Sequence, residues 1–350
     1  MAQQASGNRN IQILLARRPQ GRPQIEDFSL VESPIPEPGD GQVLVQALYL
    51  SLDPYMRGRM NDTKSYVPPV QIGEVMGGGV VGRVIRSADP KVPAGTMVEG
   101  LLGWQSYAVE KASRLRVVDP RLAPVSTALG VLGMPGITAY FGLLDICQPK
   151  AGETVVVSAA SGAVGGVVGQ IAKIQGCRTV GIVGSDAKAE YIVDELGYDA
   201  AINHRTTSNM KGAVAAACPN GVNVYFDNVG GPITDAVVEN LALHARVSLC
   251  GQISQYNNER VELGPRNLWR LITTRSRMEG FIVFDFRDRY PEALKALAGW
   301  VSEGRIKYRE DIVRGIENAP RAFLGLLEGD NFGKRLIQIA DDSQLPGAPS

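Results

Sequence analysis

The segment VVVSAASGAVGGVVGQIAK, residues 155–173, decides how the middle of the chain folds. It carries no charged residue before its last position, and it opens with an apolar run typical of a strand buried on both faces. Ala160, Gly162 and Gly165 follow in the spacing A-x-G-x-x-G, and a helix is predicted to begin near Val164. The segment therefore predicts a strand, a tight turn and a helix.

This spacing fits a turn that binds the phosphates of a dinucleotide. A small first residue permits the turn, the second lets the backbone approach a pyrophosphate, and the third lets the helix pack closely on the strand. The first N–H groups of the helix and the positive end of its dipole supply the anion site. The alternative is a core element whose small residues only serve close packing. The segment stands at the start of a series of strands and helices, and this position favours the phosphate-binding interpretation.

Six predicted strands alternate with helices after Met134. The strands are expected at residues 154–159, 179–183, 200–203, 222–227, 246–250 and 280–283. Helices are expected at residues 186–196, 232–244 and 291–303. The last helix has Pro291 at its start and Gly304 after its end, which are common helix boundaries. This alternation predicts an α/β fold with a doubly wound parallel sheet.

The part of the chain before this series is predicted to be a twisted, partly open β-barrel. Glycines interrupt apolar runs such as GEVMGGGVVGRVIRS, residues 73–87, and indicate bulges and barrel corners. The runs IKYREDIV and GKRLIQI near the end of the chain are predicted to be strands that return to this barrel. We therefore expect a discontinuous first domain, residues 1–132 with 305–350, and a second domain, residues 133–304.

The composition argues against several classes of protein. Lys and Arg number 36 and Asp and Glu also number 36, so the one-sided charge of a nucleic-acid-binding protein is missing. The opening residues MAQQASGNRN do not resemble a secretory signal, and the uncharged run at residues 123–144 contains two prolines, which disfavours a membrane helix. Four scattered cysteines without CxxC spacing favour a reducing compartment, and we expect a cytoplasmic protein.

Histidines are too few for a His-based metal site. The chain has only His204 and His244, and His244 is expected to lie at a helix end. We predict no metal site.

The residues after the second strand indicate which dinucleotide is bound. A site for NAD usually has an acidic residue there, whereas this strand ends in Gly184 and Ser185, with Lys188 one turn later. These residues leave room and hydrogen bonds for a 2′-phosphate, and Arg205 and His204 follow the third strand. Asp186 could instead bond the ribose, and the cations could be solvated surface charges. The balance favours NADPH over NADH.

The chain resembles the zinc-independent branch of the medium-chain dehydrogenase/reductase superfamily over nearly its whole length. Within that branch it is similar to the alkenal double-bond reductases, also called leukotriene B4 12-hydroxydehydrogenase/prostaglandin reductases, and especially to the bacterial curcumin reductases. The segments that carry the resemblance are SLDPYMRGRM (51–60), ASGAVGGVVGQIAK (160–173), GSDAK (184–188), YFDNVGG (225–231), CGQISQYN (250–257) and GDNFGK (329–334).

The resemblance implies a GroES-like catalytic domain and a Rossmann domain, with NADPH in the cleft between them. The cofactor contacts that it implies are Gly162, Ala163, Val164, Gly165, Lys188, Asn228, Cys250, Gly251, Phe281, Ile282, Val283, Phe284 and Asn331. To these we add Ala160, Ser185, Arg205, Ile253 and Tyr256. A tyrosine that usually meets the 2′-phosphate stands here as His204, so we expect the NADPH preference to depend on pH.

The expected reaction needs no metal. Zinc alcohol dehydrogenases carry a GHE segment where this chain has Gly73-Glu74-Val75, and without a Lewis acid alcohol oxidation loses its means of activating the alkoxide. Reduction of an activated C=C bond needs a hydride at the β-carbon, hydrogen-bond donors for the enolate oxygen and a proton at the α-carbon.

Tyrosine hydroxyls suit the role of neutral donors in an apolar pocket. We predict that Tyr256 donates to the substrate carbonyl, assisted by the ribose 2′-hydroxyl of the nicotinamide nucleoside. Tyr55 and Tyr66 complete the predicted catalytic set as residues that line the substrate pocket. Arg57 and Arg59 are interpreted as structural or interface charges, with a catalytic role as the alternative.

These observations predict an NADPH-dependent 2-alkenal or enone reductase. One alternative is a quinone oxidoreductase of the zeta-crystallin type, and another is an NADPH-binding protein without activity. A homodimer is typical of the family that the chain resembles, with residues 266–284 as the expected interface. The other partner is a small enone or enal substrate, and no nucleic acid or membrane partner is expected.

Overall fold

The computed structural model describes residues 9–341, which divide into two units. The first unit contains the residues up to 129, residues 311–330 and the segment from residue 335, and the second contains residues 130–310 and 331–334. Residues 130–132 and 331–334, expected in the first domain, belong to the second unit, and so do residues 305–310. For residues 305–310 the reason is local, because the side chain of Gln170 bonds both the N–H and the C=O of Lys307, and Ile306 lies in the core of the second unit.

The elements are labelled here in chain order. The strands are β1 Asn10–Leu15, β2 Phe28–Ser33, β3 Gln42–Ser51, β4 Val80–Ser87, β5 Met97–Gly100, β6 Tyr107–Lys111, β7 Arg116–Val117, β8 Thr154–Ser158, β9 Arg178–Val183, β10 Ala200–Asn203, β11 Val222–Asp227, β12 Leu241–Leu249, β13 Arg277–Gly280, β14 Glu310–Arg314 and β15 Lys334–Gln338. The α-helices are α1 Met56–Arg59, α2 Met134–Phe141, α3 Gly165–Ile174, α4 Asp186–Asp194, α5 Met210–Ala217, α6 Gly231–Val238, α7 Trp269–Thr274, α8 Tyr290–Ser302 and α9 Ala319–Glu328.

The second unit is built on a parallel six-stranded sheet. Its strand order is β10-β9-β8-β11-β12-β13, and each neighbouring pair is parallel. The order reverses between β8 and β11, which makes this pair the topological switch point where open α/β sheets bind ligands at the carboxyl ends of their strands. The predicted doubly wound sheet is confirmed.

The apolar run of β8 is buried on both sides of this sheet. Val155 and Val157 belong to the core that includes residues of α2 and α3, while Val156 belongs to the core that includes residues of α5 and α6. All three valines are fully buried. Because side chains alternate along a strand, three consecutive apolar residues are needed to satisfy two covered faces.

Two predicted elements of the second unit are wrong. The sixth strand was expected at residues 280–283 but lies at Arg277–Gly280, because Arg277 to Gly280 pair in register with Arg246 to Leu249 of β12. The helix expected at residues 232–244 ends at Val238, because the backbone near Leu241 is recruited into pairing with the start of β11. His244 therefore lies in β12 with φ 60°, and not at a helix end.

The first unit contains a seven-stranded sheet and a separate two-stranded ladder. The ladder pairs β1 with β2, and the sheet follows the order β14-β15-β3-β4-β5-β7, with β6 also paired to β3. The predicted return of the chain near its end is seen where Leu336, Ile337 and Gln338 of β15 pair antiparallel with β3. The core of this unit is centred on the stacked rings of Phe28 and Trp104.

Candidate functional site

The turn between β8 and α3 has the geometry of an anion-binding loop. Ala159 takes the left-handed conformation at φ 50°, and its carbonyl accepts from the N–H of Gly162 at 3.0 Å. A side chain at Gly165 would collide with that same carbonyl, so helix and strand come together only because this position is glycine. Within residues 9–341 the N–H groups of Ala163, Val164 and Gly165 have no hydrogen-bond acceptor. Such N–H groups at a helix start are suited to bind phosphate oxygens.

A loop from the end of the chain lies against this turn. Gly333 forms a parallel bridge with Gly162, and the side-chain amide of Asn331 donates to the carbonyl of Gly333 at 2.7 Å. The N–H of the buried Lys334 donates to the carbonyl of Arg309 at 2.9 Å. The structure thus brings Asn331 to the turn, although 169 positions of sequence separate it from Gly162.

A cavity lies beside the turn. It is lined by Ser161, Gly162 and Ala163, by Tyr191 of α4, and by residues 307–310 and 333–334. The guanidinium carbon of Arg309 lies 4.1 Å from the ring centroid of Phe332 and 5.7 Å from that of Tyr191. Stacking of the cation on two aromatic rings holds one side of the cavity in place.

The carboxyl ends of β8 and β11 are joined by a buried polar network centred on Asp227. One carboxylate oxygen of Asp227 accepts from Tyr225 at 2.8 Å, from Ser158 at 3.1 Å, and from two backbone N–H groups of the following turn. Ser158 in turn accepts from the N–H of Asn228, whose side chain donates to the carbonyl of Ser158 at 2.8 Å. These contacts hold Asn228 at the switch point of the sheet.

The segment after β12 is hydrogen-bonded to the carboxyl end of β11. The N–H groups of Cys250 and Gly251 donate to the carbonyl of Asp227 at 2.9 and 3.1 Å. The N–H of Ile253 reaches the carbonyl of Asn228 at 3.4 Å. Burial raises the pKa of the Cys250 thiol to about 12, so this group stays neutral and is not a nucleophile at physiological pH.

Tyr256 folds back onto this segment. The N–H of Gln252 donates to the Tyr256 hydroxyl oxygen at 3.1 Å. A Cβ atom at Gly251 would lie 3.2 Å from that oxygen, so glycine at this position allows the close approach. The structure therefore brings Tyr256 together with Asn228, Cys250 and Gly251.

The cationic residues predicted to meet a 2′-phosphate lie around the end of β9. A Cβ atom at Gly184 would lie 3.3 Å from Nε2 of His204 and 3.5 Å from Nε of Arg205. The hydroxyl of Ser185 accepts from the N–H of Lys188 and caps α4. Burial, with smaller contributions from Arg205 and Lys188, lowers the pKa of His204 below its ordinary value. The imidazole is therefore mostly neutral at pH 7 and sits among permanent cations.

Asp186, the competing ribose ligand, has another contact. Its carboxylate accepts from the side-chain amide of Asn203 at 2.7 Å, and the residue lies in the first turn of α4. An acidic residue there favours the helix dipole.

Residues 281–284 continue from the carboxyl end of β13. The ring of Phe281 contacts that of Phe226 with centroids 6.4 Å apart, and a Cβ at Gly142 would meet both rings. Ile282 precedes the short helical turn that begins at the buried Val283, and the ring of Phe284 lies under the guanidinium of Arg287.

The other two predicted tyrosines lie in the first unit, and both rings are near Arg59. The guanidinium carbon of Arg59 is 5.3 Å from the ring centroid of Tyr55 and 5.8 Å from that of Tyr66. Burial, more than the neighbouring Asp53, raises the pKa of Tyr55. The neighbouring Arg57 is buried and donates to Asn61 and to the carbonyl of Gly21, both at 2.6 Å, as a structural charge does.

Sequence reasoning missed the residues that connect these segments. Ser158 and Asp227 stand at the ends of β8 and β11 and were not predicted as site residues, although both lie in segments quoted for other reasons. A polar residue at the carboxyl end of a buried parallel strand was the available signal. Gly333 and Lys334 had no such signal.

The described residues hold neither a metal-binding cluster nor a membrane-spanning helix. Residues 9–341 contain no group of three or more His, Cys, Asp or Glu side chains placed to hold a metal ion. Within the same range no helix has the length and apolar character to cross a membrane.

Comparison with known proteins gives matches over both units. A family described as "N-terminal domain of oxidoreductase" matches residues 11–118, and one described as "Zinc-binding dehydrogenase" matches residues 163–299. The NADPH-dependent curcumin reductase of Escherichia coli K12 is 47% identical over 98% of this chain and 100% of its own length. The NADP⁺-dependent 2-alkenal reductase of Nicotiana tabacum is 42% identical over 97% of this chain and 99% of its own.

A solved structure is similar over the same extent. The crystal structure of CurA in complex with NADPH from Vibrio vulnificus superposes with a TM-score of 0.91 at 47% identity. The similarity covers 95% of this chain and 99% of that chain.

Proposed function

The chain belongs to the zinc-independent medium-chain dehydrogenase/reductase family, and we propose that it reduces the C=C bond of α,β-unsaturated aldehydes and ketones with NADPH. The main support for this proposal is a hydrogen-bond network at the switch point of the sheet. Ser158, at the end of the strand that leads into the phosphate turn, bonds to Asp227 and Asn228. The carbonyl of Asp227 in turn accepts from the segment that holds Tyr256 in place. The relatives named as curcumin reductase and 2-alkenal reductase support the same chemistry.

The residues of the second unit fit NADPH. The unsatisfied N–H groups of the turn suit a pyrophosphate, and Gly184 leaves space beside three basic side chains for a 2′-phosphate. Asn228, the segment 250–253, residues 281–284 and Asn331 complete the set proposed to hold it. When bound, NADPH supplies the hydride that adds to the β-carbon of the enone.

Tyr256 is proposed as the donor to the carbonyl oxygen of the substrate. Its hydroxyl already accepts from the N–H of Gln252, and an accepted hydrogen bond polarises the O–H group and strengthens it as a donor. Because negative charge develops on the carbonyl oxygen as the enolate forms, a donor held in advance stabilises the transition state more than the ground state.

Specificity for NADPH over NADH is assigned to Lys188, His204 and Arg205. Arg205 and Lys188 supply permanent charge, and His204 adds a third donor beside Gly184. The contact of Asp186 with Asn203 supports this assignment, because it engages the one acidic side chain that could bond ribose hydroxyls there.

A homodimer is proposed through the edge of the parallel sheet. Within the described chain β13 pairs on one side only, with β12. Trp269 and Ile272 of α7 and the preceding Leu268 are exposed. An open edge strand beside exposed apolar side chains is suited to an isologous contact with a second copy. A cytoplasmic location remains a prediction from the sequence.

The experiment that tests the function is NADPH oxidation with a panel of enones, enals, naphthoquinones and alcohols. We expect turnover of long-chain enones such as 3-nonen-2-one. Faster turnover of quinones than of every enone would favour the zeta-crystallin type of activity. Enhancement of NADPH fluorescence without turnover of any compound would indicate a binding protein without activity. Either this result or the faster turnover of quinones would overturn the proposal.

A further inference from the structure

Asp227 is a buried carboxylate that has hydrogen-bond donors around it but no cation. It is fully buried at the last position of β11. Its oxygens accept from the hydroxyls of Ser158, Tyr225 and Thr234 and from the N–H groups of Val229 and Gly230. Among residues 9–341 no Lys, Arg or His side chain forms an ion pair with it. The donors stabilise this buried charge but are all neutral, so they do not cancel it.

The charge of Asp227 acts on groups around the network. Burial and the nearby carboxylate raise the pKa of Tyr225 well above its ordinary value, so this donor stays neutral. Burial raises the pKa of the Cys250 thiol to about 12, and the charge of Asp227 contributes in the same direction. In surroundings of low polarity a charge is poorly screened. The negative potential therefore extends to the segment that begins at Cys250, which is proposed to hold the cofactor.

The order of the strands indicates which half of NADPH lies on this side of the sheet. The phosphate turn follows β8, and the basic residues proposed for the 2′-phosphate of the adenosine half follow β9 and β10. Strands β9 and β10 lie on one side of β8, and β11 and β12 lie on the other. A dinucleotide crosses the switch point with its pyrophosphate at the turn. The nicotinamide half is therefore expected at the carboxyl ends of β11 and β12, where Asp227 stands.

The two forms of the cofactor differ in charge at exactly this half, because the nicotinamide ring is positive in NADP⁺ and neutral in NADPH. A fixed negative charge of low screening favours the positive ring. We propose that the buried Asp227 carboxylate stabilises the oxidised cofactor relative to the reduced one, and so makes bound NADPH a stronger hydride donor. The inference rests on the proposed binding of NADPH and is independent of which enone is the substrate.

The proposed role concerns the charge that hydride transfer leaves behind. The hydride, a proton with two electrons, goes to the β-carbon of the enone, and the resulting enolate takes up a proton at its α-carbon. The positive charge that remains on the nicotinamide ring is the charge that Asp227 stabilises. Asp227 itself neither gives nor takes a proton in this role, and it acts on the cofactor through its charge alone.

The test measures the binding of NADP⁺ and NADPH to the protein without any substrate. Asp227→Asn removes the charge and keeps the size of the side chain. We expect the ratio of the Kd for NADP⁺ to the Kd for NADPH to rise about 10-fold in this variant. Fluorescence titration gives the Kd for NADPH, and displacement of NADPH gives the Kd for NADP⁺. Adenosine 2′,5′-bisphosphate, which lacks the nicotinamide half, should bind as it does to wild type.

Two further positions provide controls. Glu153→Gln removes a carboxylate that pairs with Arg246 at 2.6 Å just before β8, at the opposite end of the sheet, and should leave the ratio unchanged. Thr234→Val removes one donor to Asp227 but keeps the carboxylate, so it should also leave the ratio unchanged. Thr234→Lys places a cation at this half-buried donor and should raise the ratio as Asp227→Asn does. It provides the same test if Asp227→Asn does not fold, which the melting temperature of each variant shows.

An equal loss of affinity for NADP⁺ and NADPH in Asp227→Asn would overturn the inference, because that result assigns Asp227 only to ordering the surrounding segments. An unchanged ratio in Thr234→Lys, or a rise in Glu153→Gln as large as in Asp227→Asn, would also contradict it. If wild type turns over no enone, the reductase proposal fails. A selective loss of NADP⁺ binding in Asp227→Asn would still support this inference, since the binding measurement needs no substrate.

Discussion

Asp227 shows how much of the site depends on one buried side chain. Its carboxylate accepts from Ser158, Tyr225 and Thr234 and from the turn that follows, while its carbonyl accepts from Cys250 and Gly251. A buried carboxylate is stable only when such donors surround it. Several of these donors belong to the segments proposed to hold the cofactor. The hydrogen bonds that stabilise the buried carboxylate of Asp227 therefore also fix the positions of those segments.

Tyr256→Phe tests the proposed donor. We expect kcat for enones to fall by about 100-fold, the size of effect seen when one preorganised donor to a developing oxyanion is removed. Tyr107→Phe is the control, because it removes a hydroxyl that contacts Gln46 in the first unit and belongs to no proposed site, so kcat should stay close to wild type. Steady-state kinetics and melting temperatures of both variants check the prediction. An unchanged kcat in Tyr256→Phe would remove this hydroxyl from the mechanism.

His204 is expected to make the preference for NADPH depend on pH. Its pKa lies below the ordinary value, mainly through burial, so the ring is neutral at pH 7 and gains a proton only in more acidic solution. The charged ring favours the 2′-phosphate, so NADPH binding should take up a proton. Relative to a His204→Tyr variant, wild type should bind NADPH more tightly as the pH falls from about 8 to about 5.5.

The comparison with the variant is essential because the phosphate itself titrates near pH 6. That titration is common to both proteins and cancels in the ratio of their dissociation constants for NADPH. Fluorescence titrations with NADPH and with NADH at each pH give these ratios. A ratio that does not change with pH would contradict a role for the His204 charge.

Helix α3 is fitted to the sheet by glycines on its packed side. Tyr198 lies against Gly169, and its hydroxyl donates to the carbonyl of Gly165 at 2.7 Å. Tyr198 is buried in the same core as Val168 and Ile171 of this helix. The small residues of the opening motif thus have two roles, since Gly165 permits close approach to β8 and Gly169 leaves room for a ring. The two interpretations of the sequence, phosphate turn and close packing, apply to different positions of one segment.

Gly169→Ala should destabilise the protein. The added methyl group would overlap the ring of Tyr198, which cannot move without breaking its bond to Gly165. We expect the free energy of unfolding to fall by about 1–3 kcal/mol. Gly299→Ala in α8 is the matched control, because nothing lies within 4 Å of its added Cβ. That variant should gain about 0.5–1 kcal/mol from helix propensity. Urea unfolding followed by circular dichroism measures the free energy of unfolding of both variants. A change in the same direction in both would contradict the close packing of Tyr198 on Gly169.

At the level of the assembled protein, the proposed dimer predicts different effects for two equally exposed apolar residues. Ile272 of α7 is 78% exposed and Leu122 of the first unit is 77% exposed. Ile272→Asp should weaken self-association because it places charge in the proposed interface, whereas Leu122→Asp should have no effect. Sedimentation equilibrium at micromolar concentration measures both. A monomeric wild type under these conditions would exclude the dimer.

The features that local sequence determined are those with a local physical cause. The strand, turn and helix from residue 154 to 174 follow from an uninterrupted apolar run and small residues at three positions, and these restrict the backbone whatever lies around them. The cations after β9 and β10 could be predicted for a similar reason, because parallel strands bring their carboxyl ends to one edge.

The tertiary structure decided features that depend on partners distant in sequence. Strand β12 begins at Leu241, and His244 takes its conformation, because this segment pairs with β11. Residues 305–310 belong to the second unit because Gln170 bonds to Lys307 and Ile306 lies in the core of that unit. The bridge from Gly162 to Gly333 and the position of Arg59 near the rings of Tyr55 and Tyr66 are likewise set by contacts. A residue pattern restricts the backbone over one or two turns, whereas the partners of a buried polar or charged group are fixed only when the chain has closed around it.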